Sequence, residues 1–474
     1  MKQCDNSVNF INRRENLLLS WSAKEVFAPV LTDFVQWILW SAARDGIRRV
    51  YFLARDGYPM YLAAQGLCRR SFPDVECRYL KCSRYSLGLP WLFVAGERGL
   101  DRICSAGVDV TPRMVLRRAG LEGEKAFRVL EALGMEREAD LVLSPEKLRE
   151  LKEKLAGCGF FWASVLSGAR GAYKNTIGYL RQEGFGDGVP KAVADSGWTG
   201  GMQQMLGELL YSAGIRERLT GYYFGLYSLP EGANSSDYSA YYFRPYGDIK
   251  RKARFSNCLF ECVFTAPHGM TLGYREADGA FKPVLETGNG EPVPGKRSQG
   301  AGSLELGPGK RSQETGSREP GQKSQGAGKR EPGPRSERDA EIIRRINRCV
   351  QREAYRRAER LPASMADWRP GKKEAKGNLR RLTRLMTKPD AACARLFGGM
   401  AFSDDSRGKE GQVLAPGLPD RLLCPGNFRS GSGTRSAWME GSIAKCGRHA
   451  RGRLFLYRVY RYALYAGKAC RGKG

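Results

Sequence analysis

The chain has 474 residues, 42% of them apolar, with a formal net charge of +28 and a pI near 9.7. That length allows two or three ordinary domains and a sizeable core, and the apolar fraction suits a soluble globular protein. The charge does not fit an ordinary cytoplasmic enzyme; it calls for something anionic nearby, whether a phosphorylated substrate, lipid headgroups or nucleic acid.

The N-terminal residues MKQCDNSVNFINRREN lack a signal-peptide apolar core. Residues 22–46 predict a helix whose apolar face carries Val26, Val30, Phe34, Ile38 and Leu39. Its stretch 26–43 is the most hydrophobic of the chain, but it contains Asp33 and Gln36 and barely reaches bilayer length. A buried core helix is the expectation, with no membrane span. A strand at 48–53, the turn Arg55-Asp56-Gly57, a helix from about 58 to 70 and a strand at 76–82 then follow. That succession predicts βαβ units and a mostly parallel sheet.

Residues 98–185 carry helical spacing with good caps, such as Ser144-Pro145-Glu146 at one start and Gly157 at its end. They predict an inserted helical cap. Strand, Gly-rich turn and helix return at 191–210, another strand at 219–227, and a helix with an edge hairpin within 257–275. The expected fold is therefore an α/β core over 1–285 with a Rossmann-like sheet. Residues 286–338 repeat GKRSQ at 295–299 and 309–313 and hold almost nothing to bury, which predicts a disordered insert. The region 339–474 reads as basic and mainly helical. From 341 onward it carries 30 basic and 11 acidic residues, so most of the net charge sits there.

Thirteen cysteines follow no CxxC pattern, and the chain has two histidines, His268 and His449. A zinc site is poorly supported, and reduced thiols in a reducing compartment are expected.

Open parallel sheets bind ligands off the carboxyl ends of their strands. Two segments place acids there: Arg55-Asp56-Gly57, and Asp195-Ser196-Gly197-Trp198-Thr199-Gly200-Gly201. Each combines an acid with glycine, and each precedes a helix whose free N–H groups suit an anion. Asp56 and Asp195 are the candidate catalytic acids and candidate ligands for Mg²⁺. Arg55, Gly57, Ser196, Gly197, Trp198, Thr199 and Gly200 are candidate ligand contacts. The alternative is helix capping and turn chemistry. Ser83-Arg84 follows the second strand, where Arg84 would grip phosphate or pair with Asp56. Glu261 and His268 offer a candidate acid and base, against an ordinary structural histidine. Asp404-Asp405 reads as a solvated turn and Trp438–Gly441 as a packing element.

The segments VYFLARDGYPMYLAA, CSRYSLGLPWL, VADSGWTGGMQQML and LFECVFTAPHGMTLGY, in that order, resemble the predicted HAD-like hydrolases of bacterial surface-polysaccharide gene clusters. LMTKPDAACARLFGGMAFSDD and WMEGSIA share the resemblance, which covers most of the chain outside the insert. A HAD phosphatase needs a DxDx(T/V) motif, and no two aspartates here are separated by one residue. The resemblance is thus to the second, non-HAD region of such proteins. At its motif positions stand Arg55, Asp56, Ser83, Arg84, Asp195, Gly197, Trp198, Gly200 and Glu261. It associates the chain with surface-polysaccharide assembly and a HAD-like hydrolase context. With the strand-tip acids and glycines, the expectation is a phosphosugar- or nucleotide-binding enzyme, a phosphate-ester hydrolase or transferase, with a phosphorylated sugar or nucleotide sugar as substrate.

A second reading is a non-catalytic adaptor that positions a glycosyltransferase at the inner face of the membrane. Its support is the helix predicted at 451–468. There Arg451, Arg458, Arg461 and Lys468 form one face and Phe455, Val459, Tyr462 and Ala466 another, which suits an anionic lipid surface. Either reading places the protein in the cytoplasm, in the second case peripherally on the membrane. No recognisable nucleic-acid-binding motif is present.

Overall fold

The structure, a computed structural model, describes residues 11–105, 110–286, 336–362, 372–402, 412–419, 436–447 and 449–470. Asp404-Asp405 lies outside these residues, as does the expected disordered insert apart from its ends. Ser336 caps a helix at Glu337–Ala358, so the last residues assigned to the insert already belong to that helix.

Five strands build an all-parallel sheet: β1 Arg49–Leu53, β2 Glu76–Leu80, β3 Lys191–Trp198, β4 Leu219–Leu226 and β5 Tyr238–Phe243. Their order is β2-β1-β3-β4-β5, a doubly wound, Rossmann-like arrangement. β5 is an addition to the sequence reading. A 3-10 turn at Ser235–Asp237 is the only helical element in its crossover from β4, so the helical spacing that announces a βαβ unit is absent. Successive residues of β1 point to opposite faces: Val50 and Phe52 to one, Tyr51 and Leu53 to the other. Helices cover both faces, which is why the strand is apolar from Val50 to Leu53.

The first face is covered by helices Arg13–Ser22, Ala28–Arg44 and Gly57–Ser71. A π-helical segment, Ala23–Phe27, joins the first two. Val26, Val30, Phe34, Ile38 and Leu39 are all fully buried. Among the described residues Arg13–Arg44 is the one stretch long and apolar enough to cross a bilayer, and most of its apolar window is buried inside the protein.

The region 339–474 completes this layer rather than forming a separate body. Ile342, Ile346 and Val350 of the Glu337–Ala358 helix join the same core. Gly66 permits close helix contact: a Cβ there would lie 3.0 Å from Ala354 Cβ. Arg357 pairs with Asp33 in the buried layer, and Asn378 of the Lys372–Thr387 helix donates to the same carboxylate at 2.8 Å. Trp438 is fully buried and donates to the Met386 carbonyl, as a packing residue does.

Helices Arg84–Ala95, Gly159–Gln182 and Gly201–Ser212 cover the second face. The cap forms beside them around its own cluster, which includes Leu116, Val129, Leu130, Leu151 and Phe161. Its last helix, Gly159–Gln182, leaves the cap and returns to the sheet through Ile177 and Leu180. The expected edge hairpin is corrected. β6 Thr271–Ala277 and β7 Ala280–Leu285 form their own antiparallel pair. That pair packs on the long helix, where Gln182 bonds both the N–H and the carbonyl of Phe281.

At the amino end of the sheet Arg49 pairs with Glu76 and Asp187, each at 2.5 Å, and buried Lys191 pairs with Glu217 at 2.6 Å. Charges there are matched. The carboxyl end is different.

Candidate functional site at the carboxyl end of β1 and β3

β1 pairs with β3 only as far as Phe52–Ala194. The chain leaving β1 enters the Gly57–Ser71 helix on the first face, whereas the chain leaving β3 enters the Gly201–Ser212 helix on the second. This divergence is the switch point at which open α/β sheets form a crevice. A Cβ on Gly57 would sit 2.7 Å from the Phe52 carbonyl carbon, so glycine lets the first helix start hard against β1.

The DSGWTGG segment is mostly strand, not the Gly-rich loop expected. Asp195 pairs with Tyr223, Gly197 with Gly225 and Trp198 with Leu226, which leaves Thr199-Gly200 as the turn. Gly197 has φ +110°, and a Cβ there would lie 2.5 Å from the Gly225 oxygen. Trp198, at φ +76°, is held by an aromatic cluster that includes Phe255 and Phe260.

Asp56 occupies the cap position of the Gly57–Ser71 helix but makes no capping bond with its side chain. Its carboxylate instead accepts the hydroxyl of Ser196 across the crevice. The Ser196 N–H donates to Asp195 Oδ1 at 2.8 Å. One buried serine thus ties together acids from two strands. Burial, and then the neighbouring Asp56 charge, push the Asp195 carboxyl up to about 7. The Ser196 N–H and Arg84 pull the other way.

Basic groups flank the acids. Arg84, exposed at the start of its helix, acts electrostatically on Asp195. Arg102, from the short cap helix Leu100–Ile103, reaches the start of the Gly201–Ser212 helix. A Cβ on Gly201 would lie 3.8 Å from Arg102 Nη1 and 3.7 Å from Thr199 Oγ1. Among the described residues no carboxylate forms a salt bridge with Arg102; its Nη2 touches the Arg84 carbonyl oxygen at 3.5 Å. Burial and the charges of Arg84 and Arg118 lower its pKa to about 10. Arg55 sits toward β2, where its charge is felt by Tyr79. Arg102 was not foreseen, because it stands in the cap with no local motif and meets the site only through the tertiary fold.

Several predicted contacts serve the fold. Ser83 caps the Arg84–Ala95 helix, accepting from Tyr85 N and Ser86 N, and its hydroxyl donates to Thr271 O at 2.6 Å. The Trp198 indole donates to Glu261. His268 Nδ1 donates to the Gly269 carbonyl at 2.7 Å, and Nε2 is bonded to the Tyr79 hydroxyl at 2.8 Å. Gly200, at φ +68°, packs against the Tyr238 ring and starts the helix that Thr199, exposed, overhangs.

Among the described residues no group of three or more His, Cys, Asp or Glu side chains gathers to hold a metal. At the crevice Asp56 and Asp195, joined through Ser196, offer a pair of carboxylates. No protein-family model matches the chain, and no curated protein matches it.

Proposed function

We propose that the switch-point crevice binds a phosphorylated sugar or nucleotide sugar and acts on it in bacterial surface-polysaccharide biosynthesis. The observation that carries this reading is the Asp56–Ser196–Asp195 link at the switch point, with Arg84 acting on Asp195 and Arg102 at the start of the Gly201–Ser212 helix, a cation without a carboxylate partner among the described residues. An acid that titrates near neutrality inside a crevice can give or take a proton at physiological pH. Asp195 is that group, and Asp56 holds Ser196 in place beside it. The phosphate lies on the other side, between Arg84, Arg102, the Thr199 hydroxyl and the first N–H groups of the Gly201–Ser212 helix. The reaction class is phosphate-ester hydrolysis or transfer. Mg²⁺ fits as a partner of the two carboxylates only with the ligand's phosphate completing its shell, as Mg²⁺ sites commonly arrange. The surface-polysaccharide context rests on the motif resemblance.

Thermal shift tests this with sugar phosphates, nucleotide sugars and inorganic phosphate, with and without Mg²⁺. A ligand at a hundred times its dissociation constant raises stability by about 2.7 kcal/mol. Arg102→Gln is expected to abolish the shift, while Asp195→Asn retains phosphate binding and loses turnover. A panel without a single shift overturns the reading and leaves the adaptor for a glycosyltransferase in its place.

A further inference from the structure

A large basic cavity lies at the far edge of the sheet, along β5. Its volume is about 1100 Å³. Lys250, Arg251 and Arg254 line one side, just past the carboxyl end of β5. Lys376, Arg380, Arg384 and Lys388 line the other, on and just after the Lys372–Thr387 helix. No acidic side chain lines it. Asp248 lies 3.6 Å from Arg251 and offsets that one charge. Among the described residues none of the other six has a carboxylate within salt-bridge distance.

Lys250 and Arg254 also line a second cavity, of about 460 Å³, shared with Phe455, Arg458, Val459 and Tyr462 of the Ala450–Cys470 helix. Of the basic face expected of that helix from sequence, Arg451 and Lys468 are exposed and Arg458 lines the second cavity, while Arg461 leaves that face. Arg461 is turned inward and donates to the Lys252 and Phe255 carbonyls, and Tyr465 stacks on Tyr227. Its outward face is apolar: Phe455 is 60% exposed, Val459 52% and Tyr462 51%. The cations come from the neighbouring elements, and Arg458 stands between the two sets.

From this arrangement we infer that the basic cavity and the Phe455–Val459–Tyr462 stripe together form a docking site for an anionic phospholipid bilayer. Lipid phosphates enter the cavity, and the stripe enters the acyl–headgroup boundary. A nucleic acid satisfies the cavity but leaves aliphatic Val459 and Leu456 facing water. An apolar protein groove satisfies the stripe but leaves six uncompensated cations. An anionic bilayer presents both chemistries side by side. The site is independent of what the crevice binds. Tyr227 follows β4 directly and stacks on Tyr465, so this part of the helix sits at the carboxyl end of the sheet, the end at which Asp56 and Asp195 lie.

The test is co-sedimentation of the full chain with vesicles of phosphatidylcholine alone and of phosphatidylcholine mixed with phosphatidylglycerol, and fluorescence anisotropy with duplex DNA. Binding to the anionic vesicles alone, weakening with salt, is expected. Arg254→Gln with Arg384→Gln lowers vesicle affinity by about 25-fold, at roughly fivefold for each charge. Phe455→Ser with Val459→Ser lowers it as well, without changing the salt dependence. All four side chains lie at the cavity or surface, and an unchanged melting temperature shows that the variants fold. Equal sedimentation of the variants and the native chain overturns the proposal. So does absence of vesicle binding, or DNA binding that displaces the vesicles.

Discussion

Asp56 accepts the hydroxyl hydrogen of Ser196 across the gap where β1 and β3 part. This bond distinguishes a site from a turn. An aspartate that merely capped the Gly57–Ser71 helix would turn its carboxylate to the helix N–H groups, and Asp56 does not. The same serine holds Asp195 by its backbone. Two acids are therefore kept together in a place where burial and the Asp56 charge penalise the charge of Asp195. Nothing in packing requires that, so its cost to stability points to chemistry.

That cost predicts a pH dependence. A raised carboxyl pKa means that the folded chain holds the proton more tightly than the unfolded chain. The contribution of Asp195 is fully present below the unfolded value of about 4 and is lost as pH rises through about 7. Asp195→Asn should therefore change stability little at pH 4 and raise it at pH 8, by on the order of 4 kcal/mol, with most of the rise complete by pH 7. Urea unfolding at the two pH values measures this. An equal effect at both would mean that Asp195 is not the group titrating near neutrality.

Ser196→Ala removes the bridging hydroxyl and leaves the Asp56 carboxylate one donor short. A hydrogen bond to a charged group contributes about 1.5–3 kcal/mol, and a loss near the lower end is expected in chemical denaturation. Ligand affinity should fall as well, because Asp56 and Asp195 lose their common tether. Ser83→Ala supplies the contrast. It removes a helix cap, costs about 1 kcal/mol, and should leave affinity unchanged. Equal effects of the two variants on affinity would remove the special role given to Ser196.

The parts legible in sequence were those written locally. Val50 to Leu53 announce a strand by being apolar throughout, and the Gly57 start and Ser144 cap of two helices announce themselves by residue type. Asp56 and Asp195 were legible because strand tips in a parallel sheet present ligands. What escaped depends on contacts distant in sequence. Arg102 sits in a cap helix of four residues, and nothing around it marks it as facing Gly201. The inward turn of Arg461 was equally hidden: its charge suggests solvent, yet two carbonyls and the rings of Tyr457 and Tyr465 hold it within the fold. The helix Glu337–Ala358 reads as basic by composition, while its narrow stripe of isoleucines completes the core.

Glu261 separates two roles by one substitution. It accepts from the Trp198 indole, whose left-handed backbone is fixed by the surrounding rings. Glu261→Ala leaves that N–H without its acceptor, and a loss of about 1–3 kcal/mol is expected by thermal or urea unfolding. Glu261→Gln keeps an acceptor and should restore most of it. If both variants keep full stability but lose turnover in the same way, Glu261 belongs with the reacting groups instead.

The basic C-terminal region is part of the core. A Cβ on Gly66 would already touch Ala354 Cβ at 3.0 Å and the Tyr355 nitrogen at 3.2 Å. Gly66→Val forces the Gly57–Ser71 and Glu337–Ala358 helices apart, and overpacking of this kind costs about 1–3 kcal/mol. Unfolding should remain a single transition, because both helices share one buried layer with Phe52 and Phe34. A chain ending at residue 336 would expose Ile342's partners, Asp33 would lose both Arg357 and Asn378, and the truncated protein should fail to fold cooperatively. Circular dichroism during a urea titration reads both variants. A truncated chain with a sharp transition, or a Gly66→Val protein that melts in two steps, would establish the C-terminal helices as a separate body.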